Sequence, residues 1–522
     1  MINQKNSAQK IRGLLVGLGL LLFLGLNGQQ TRFSDVYKPS GVVRGIVESN
    51  NNYYGVTQIF SDSVGKYAVR LIKLDSSGNL IKTKDFIASE GAGFYPSSQI
   101  SLIKTIDGKF VTHLTTFLAT PSKNAILKFD ENLDTLWLRF FVGKGLNIPE
   151  QIKQLPDGAF ILTGTDYDST ENTNGAFLMK ADSQGNYLWH KTFHEPDDSV
   201  SLWPRHVYPA PDGGFLMAGN RRDFGFDKEY SADALLIKTD SLGNKLWQKT
   251  YGSNNFDDFA AAGYLGNQIV LFYPEYVKPY PGNFITTPVF LLIDDQNGQE
   301  LNTYRFPHIQ GVNLSSSTLL IGDDKIIGAG HRGQHRDQPL PVPNPGTGRG
   351  YSLALDLNFN PLWYQQYTFR DSTPDIGEKS FLEDFRPTSD GGYVGAGTLE
   401  TFDTLGTGAN LGYTAWVFKI DSNGCLRDPC VNSINLPEEE TEKTLLSIYP
   451  NPIPSGESLK IIGLKPSQAA TVKIYNSAGV IVQKKNLAPY TQASLIINLK
   501  TGLYYLQLEQ QGQSSTQKLV VR

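Results

Sequence analysis

The hydrophobic pattern of the chain is one of short apolar runs broken by turn formers, and its clearest instance is LLIKTDSLGNKLWQKTYG at residues 235–252. An apolar run ends in Asp240, turn-forming residues follow, and a second run carries Trp247 seven positions after the aspartate. The pattern predicts a strand, a tight turn and a second strand. An Asp opening such a turn accepts hydrogen bonds from backbone amides ahead of it, and Gly243 supplies the positive φ of a bulged hairpin. The arrangement recurs at Asp75, Asp130, Asp182, Asp295, Asp356 and Asp421, so that seven aspartates stand 55, 52, 58, 55, 61 and 65 residues apart. Glycine holds the third position after the aspartate in five copies: Gly78, Gly185, Gly243, Gly298 and Gly424. Four of the six tryptophans, Trp137, Trp189, Trp247 and Trp363, fall at the seventh position.

A second hairpin signal precedes each of these turns by 23 to 33 residues. It reads Asp-Gly at Asp107, Asp157, Asp212 and Asp390, and takes weaker forms near Asn51, Asn267 and Asp323. The small pairs after it, Thr163 with Gly164, Ala218 with Gly219 and Ala396 with Gly397, suit close sheet packing. Each unit therefore holds two hairpins, or about four strands, and a unit under ~60 residues buries too little surface to stand alone. Four-stranded units at this period form a propeller. The expectation is an all-β chain with a seven-bladed β-propeller over residues 29–430. Each repeated tryptophan is expected to wedge between blades, contributing roughly 1.5–3 kcal/mol by burial.

The ends differ from this array. Lys5, Lys10 and Arg12 precede an apolar core at 14–26, with small residues near Gly28, so residues 1–28 read as a secretory signal peptide too short for a membrane span. Residues 431–446, with Glu438, Glu439 and Glu440, read as a solvated acidic linker. Alternating apolar segments at 447–522 predict a small Ig-like β-sandwich. With 47 basic against 51 acidic residues and no basic block, nothing points to nucleic acid. Cys425 and Cys430 read as a local disulfide in an exported chain. Two cysteines alone do not make a zinc site.

Two resemblances add to this reading. The DGGF hairpin, the KxDSxGNxxWxKTF segment and connectors such as YGSNNFDDFAAAG resemble repeats of exported, propeller-type proteins of Bacteroidetes-type bacteria, over most of residues 45–425. That likeness implies a fold and a location but no single activity. The last module resembles the C-terminal sorting domain of the type IX secretion system over its full length. The residues that carry this are Pro450, Asn451 and Pro452, then Gly479, Gly502, Tyr504 and Lys518. The resemblance implies Sec export and recognition by the outer-membrane translocon. It further implies removal by a surface sortase, for which the linker is well placed, and release or attachment to lipopolysaccharide.

Candidate chemistry is sparse. His331 and His335 in HRGQH have metal-like spacing, but in a Gly- and Pro-rich stretch without the Glu of a zinc protease they read as loop histidines. The pairs Asp197 with Asp198 and Asp257 with Asp258 recur with the repeat and read as turn caps, not as a glycosidase pair. No catalytic, cofactor-binding or metal-binding residue is assigned, and no cofactor is expected. The aromatic insertion 273–288 and the Pro-rich insertion 331–350 are the places to look for a binding surface, projecting from one face of the ring. The expected role is a surface or secreted binding or scaffold module for a polysaccharide or a surface protein. The alternatives are an extracellular glycan-active hydrolase or lyase with a site assembled at one mouth, and a purely structural surface-layer component.

Overall fold

The computed structural model describes residues 31–427 and 447–522, apart from 38–40, 62–65, 88–92, 97–100, 118–123, 142–145, 169–172, 198, 224–230, 254–256, 258–259, 281–282, 307–312, 334–348, 370–377, 403–409, 450, 463–469, 477–478, 488–491 and 511–512. The expected signal peptide, Cys430, the acidic linker and Pro450 lie outside the described residues, as do Asp198, Asp258 and His335. The chain divides into two compact units, Met1–Ile434 and Asn435–Arg522. Every regular element among the described residues of both is a strand. No helix among the described residues is long and apolar enough to cross a membrane.

The first unit is a seven-bladed β-propeller. Blade 1 runs through the strands Gly41–Ser49, Asn52–Ser61, Lys66–Leu74 and Leu80–Phe86, from the innermost outwards. Blades 2 to 6 follow at 93–141, 146–193, 200–251, 261–305 and 313–367. In blade 2 the innermost position is shared by Gly93–Tyr95 and Leu102–Lys104, which both pair with Phe110–Phe117. Blade 7, at 378–420, supplies only three strands of its own, and Phe33–Tyr37 completes it by pairing antiparallel with Asn410–Ile420. The Trp416 indole donates to Ser34 Oγ at 3.0 Å across this pairing. The repeat pattern did not reveal this closing strand, which turns three-quarters of a blade into a whole one.

The recurring aspartate does what its position requires. Asp240 Oδ1 accepts the amides of Leu242 and Asn244 at 2.9 and 2.8 Å, and Asn244 Nδ2 donates to Oδ2 at 2.9 Å. Asp75, Asp182 and Asp356 repeat all three bonds. The hydrogen bonds hold Asp75, Asp182, Asp240 and Asp356 below the usual carboxylate range, burial opposing them and weighing most at Asp182. At Asp130 and Asp421 the two backbone bonds persist. Blade 5 departs from the expected register: Asp294, not Asp295, opens the turn and accepts the Gln296 amide at 2.8 Å. The turn is one residue longer, closing from Gly298 N–H to the Asp294 carbonyl. The displaced Asp295 is buried and takes Lys238 Nζ at 3.1 Å and the Tyr264 hydroxyl at 2.8 Å.

The tryptophans sit between blades, each against the turn glycine of the next one. A Cβ on Gly185 would come within 2.6 Å of the Trp137 ring, one on Gly243 within 2.9 Å of Trp189, and one on Gly424 within 2.9 Å of Trp363. Trp247 faces Gly298 in the same way, and its Nε1–H reaches the Asp295 carbonyl at 3.0 Å. A Cβ on the fifth glycine, Gly78, would come within 2.6 Å of the Phe33 ring of the closing strand. Four residues after the ring, Tyr37, Tyr251 and Tyr367 donate to the carbonyls of Gly78, Gly298 and Gly424. Where the glycine is replaced, by Leu133 and Phe359 at φ 63° and 65°, the preceding blade carries Lys82 or Asn302 in place of the aromatic ring. Ring and glycine are thus two halves of one contact.

The second unit packs the sheet of Ser447–Tyr449, Ser458–Ile462 and Gln492–Ile496 against a four-stranded sheet of Ala470–Asn476, Ile481–Leu487, Gly502–Gln510 and Gln513–Val521. Ile461, Val472, Ile474, Leu506 and Leu519 lie in its core, an Ig-like sandwich. Asn451 ties the opening to the last strand, donating to the Lys518 carbonyl at 2.7 Å and accepting the Val520 amide at 2.9 Å. Gly479 takes φ 78° in the turn that Asn476 closes, and the Tyr504 hydroxyl donates to the Lys500 carbonyl.

Candidate functional site

The blade topology sorts the connections by face. Within each blade the tight Asp-Gly-type turn joins strands one and two, and the Asp-x-x-Gly-type turn joins strands three and four. Both therefore open on one face of the ring. The longer connections, between strands two and three and from one blade to the next, open on the other. The 273–288 insertion belongs to this second face and is a regular ribbon, not an irregular loop: Gln268–Tyr280 and Asn283–Asp294 stay in register from Gln268 opposite Asp294 to Val277 opposite Ile285. The 331–350 insertion leaves from the same position of blade 6, between Lys325–Gly333 and Arg349–Asp356.

Along the axis, the innermost strands carry a bulge that no periodicity announced. The register breaks at Arg44 in blade 1, Glu150 in blade 3, Arg205 in blade 4, Ser317 in blade 6 and Glu383 in blade 7. The bulged residue is charged in four of these five. The small pairs explain how the backbone tolerates it, since a Cβ on Gly164, Gly219 or Gly397 would fall 2.0, 2.1 or 1.8 Å from the carbonyl of Ile148, Trp203 or Phe381. In those blades the glycine stands 14 residues after the bulged residue, which is the signal that marks it in the sequence.

The residue after the bulge links neighbouring blades. Asp384 Oδ2 accepts the Ile46 amide at 2.9 Å, and Gln151 Oε1 accepts the Val207 amide at 2.9 Å. Arg44 Nη1 lies 3.0 Å from Glu383 Oε2 across the blade 7 to blade 1 junction, and Arg386 Nε lies 2.8 Å from Asp384 Oδ1. Burial raises the Asp384 carboxyl above its ordinary value, with Arg386 opposing. Lys153 lies beside Tyr208, its Nζ 5.7 Å from the ring centroid. Burial, then Arg386, push the Lys153 ammonium down to about 8, against the pull of Asp384. Burial, followed by Arg205, Lys153 and Arg386, pushes His206 down to about 3. His206 thus stands in the field of cations from blades 3, 4 and 7, on opposite sides of the ring axis.

Most residues singled out in the sequence turn out to be scaffold. Asp197 accepts the Ser199 amide at 2.9 Å, and the buried Asp257 carboxylate takes the Ser253 amide and hydroxyl, so both cap turns as expected. His331 is not on a loop: it lies in the strand Lys325–Gly333, edge-on to Phe381 with ring centroids 5.0 Å apart. Burial lowers its basicity, with Glu383 opposing. Among the described residues no group of three or more His, Cys, Asp or Glu gathers to hold a metal. Cys425 is disulfide-bonded, and Cys430, the chain's other cysteine, is outside the described residues.

Fold and site together define a β-propeller with a charged axial lining, joined to a small sandwich. That sandwich, residues 447–522, matches the family described as the secretion system C-terminal sorting domain. The domain marks proteins exported by type IX secretion to the cell surface or the extracellular space, and it implies interaction with that secretion machinery. No curated protein matches the chain in sequence. Among solved structures, the plexin A4 extracellular region, domains 1 to 8, is similar at TM-score 0.45 and 9% identity, over 94% of this chain and 67% of that one. Against plexin A4 domains 1 to 10 this chain spans 53% of the other's length. The β-propeller domain of the trilobed protease from Pyrococcus furiosus aligns at 0.36 and 10%, over 76% of this chain and 99% of its own. An α-L-arabinanase from Penicillium chrysogenum, complexed with arabinobiose, aligns at 0.36 and 12%, over 57% and 92%. Likenesses this distant carry no argument about activity.

Proposed function

We propose that this is a non-enzymatic binding or scaffold protein of the cell surface or extracellular space, which captures a polysaccharide or a surface protein at the long-connector face of its propeller. One observation supports this reading above the others: the repeated polar residues are consumed in structure. The turn aspartates cap backbone amides, Asp107, Asp157, Asp212 and Asp390 pair with Lys128, Lys180, Lys238 and Lys419 of the same blades, and the axial carboxylates Glu383 and Asp384 face arginines. Residues so engaged position a surface; a general acid or base must lie within hydrogen-bond reach of the substrate and exchange a proton with it. The connectors that vary from blade to blade, including the 268–294 ribbon, supply the contact surface on a rigid frame. We further propose that the chain is made with its 1–28 segment as a signal peptide and that Cys425 bonds to Cys430, closing the last blade. Cleavage in 431–446 would then leave the propeller free or attached to lipopolysaccharide. A glycan array probed with the mature protein, followed by product analysis of each ligand retained, tests the reading. Saturable binding with the ligand recovered intact is the expected result, and fragmentation of the ligand would replace it with the hydrolase or lyase alternative.

A further inference from the structure

Lys153, half-buried at the axis, differs from the lysines that the Asp-Gly turns hold. Lys128, Lys180, Lys238 and Lys419 each have a carboxylate of the Asp-Gly turn within 4.0 Å. Lys153 has no carboxylate within that distance among the described residues; its neighbour is the face of Tyr208. It lies one residue from the end of Leu146–Gln154, next to the tight turn at 155–159, which places it at the tight-turn end of the axis. Arg386 occupies the same level on blade 7, next to the last residue of Glu378–Pro387. Its Nε faces Asp384, while its Nη2 is buried with no hydrogen-bond partner.

His206 provides a third donor, and its tautomer follows from its neighbours. Gln151 Oε1 is taken by the Val207 amide, so the Gln151 group facing His206 Nδ1 at 3.3 Å is its NH2. Nδ1 then accepts, and the ring proton sits on Nε2. That Nε2 is buried without a hydrogen-bond partner, in a side chain only 2% exposed. An ammonium, a guanidinium nitrogen and an imidazole N–H without acceptors, drawn from three blades around one axis, are the donor set of an oxyanion site.

We infer that the tight-turn end of the propeller axis binds an oxyanion, a phosphate, a sulfate or the carboxylate of an acidic saccharide, held by Lys153, Arg386 and the Nε2–H of His206. Asp384 and Tyr208 frame the site, Asp384 by fixing the Arg386 guanidinium and Tyr208 by covering one side of the ammonium. The proximity of Arg386 that disfavours the Lys153 charge becomes favourable once an anion lies between them. This site is at the opposite end of the axis from the connector face and stands whatever that face captures.

The test compares thermal melts of the mature protein in sodium phosphate and in sodium chloride at matched ionic strength, with Lys153→Met, Lys153→Glu and, as control for general salt effects, Lys245→Met at an exposed position of blade 4. A saturable rise in melting temperature with phosphate is expected for the wild type and for Lys245→Met. The response should weaken at least tenfold in concentration for Lys153→Met and vanish for Lys153→Glu, whose carboxylate supplies the anion from within. Digalacturonate, against neutral digalactose, forms the second arm: a response at lower concentration than phosphate identifies an acidic saccharide, and a response to phosphate alone identifies a free oxyanion. Should the variants not fold, amine acylation of wild-type Lys153, read by peptide mass spectrometry, must fall as either anion is added. An unchanged phosphate response in Lys153→Met, or acylation of Lys153 indifferent to both anions, would overturn the assignment. Neither result bears on ligand capture at the connector face, which the glycan array reads separately.

Discussion

Gly243 holds φ 78° against the ring of Trp189, and that one contact shows how the repeat stores its information. Gly243→Ala must place a Cβ both in a left-handed backbone position and against the indole, at a cost of about 1–3 kcal/mol. Trp189→Ala loses roughly 2–3 kcal/mol of burial. Because the two residues form one contact, the double variant should lose at least about 0.5 kcal/mol less than the sum of the singles in chemical denaturation. Additivity would show that the ring and the glycine act separately. Lys153 allows a second prediction at this scale. The unfolded lysine keeps its proton up to the ordinary 10.5, whereas the folded one releases it near 8. The unfolded chain therefore binds more protons between those values, and stability rises with pH across them. In chloride buffer Lys153→Met should be more stable than the wild type at neutral pH, by roughly 1–3 kcal/mol, with the gap closing toward pH 10. A gap independent of pH would mean that packing, not charge, separates the two proteins. The sequence made the Asp, Gly and Trp positions readable because they repeat. It hid Lys153, His206 and Arg386 because each occurs once and the three meet only when blades 3, 4 and 7 share an axis.

At the level of elements, hairpins were legible and closure was not. Every blade carries a turn whose chemistry is local, so Asp240 with Asn244, or Asp212 with Gly213, declares itself within a few residues. In blade 5 the repeat spacing points to Asp295 although Asp294 caps the turn, because two aspartates adjoin and only the longer turn tells them apart. The closing strand Phe33–Tyr37 is hidden in the sequence for a different reason. It keeps the aromatic residue and the tyrosine four positions on, but the turn that introduces other outer strands belongs to a distant part of the chain, where Asp421, 389 residues from Arg32, stands next to it at 3.5 Å in the fold. Phe33→Ala should loosen both junctions that the strand serves. Hydrogen exchange is expected to accelerate in Asn410–Ile420 and around Gly78 while Ser231–Thr239 in blade 4 keeps its protection. Uniform acceleration across all blades would instead indicate that the ring opens as a single cooperative unit.

For the whole molecule, acid is the informative stress. Burial pushes His113 down to about 4 and, with its cationic neighbours, His206 down to about 3. The unfolded chain takes up those protons near 6.5 while the folded one does not, so stability falls as pH drops from about 6.5 toward 4, before most carboxylates titrate. Melting temperature should decline over that interval, and His206→Gln should flatten part of the decline; a profile flat down to pH 4 would show that these rings are protonated in the fold. Export offers a separate test. Deleting 447–522 should leave the propeller folded but held in the periplasm, and surface display undiminished by the deletion would contradict the role of the sorting domain.

The closing strand has one more consequence. Phe33–Tyr37 lies near the N-terminal end of the described residues, and it pairs with Asn410–Ile420, the last strand before the sorting module among those residues. The start of the propeller is therefore satisfied last, across a separation that makes its closure slow relative to the local hairpins. A chain cut short anywhere within blade 7 lacks both the partner for its first strand and the module that addresses it for export. The ring thereby carries a check on its own length: a product cut short in blade 7 leaves its first strand without the partner that completes the last blade.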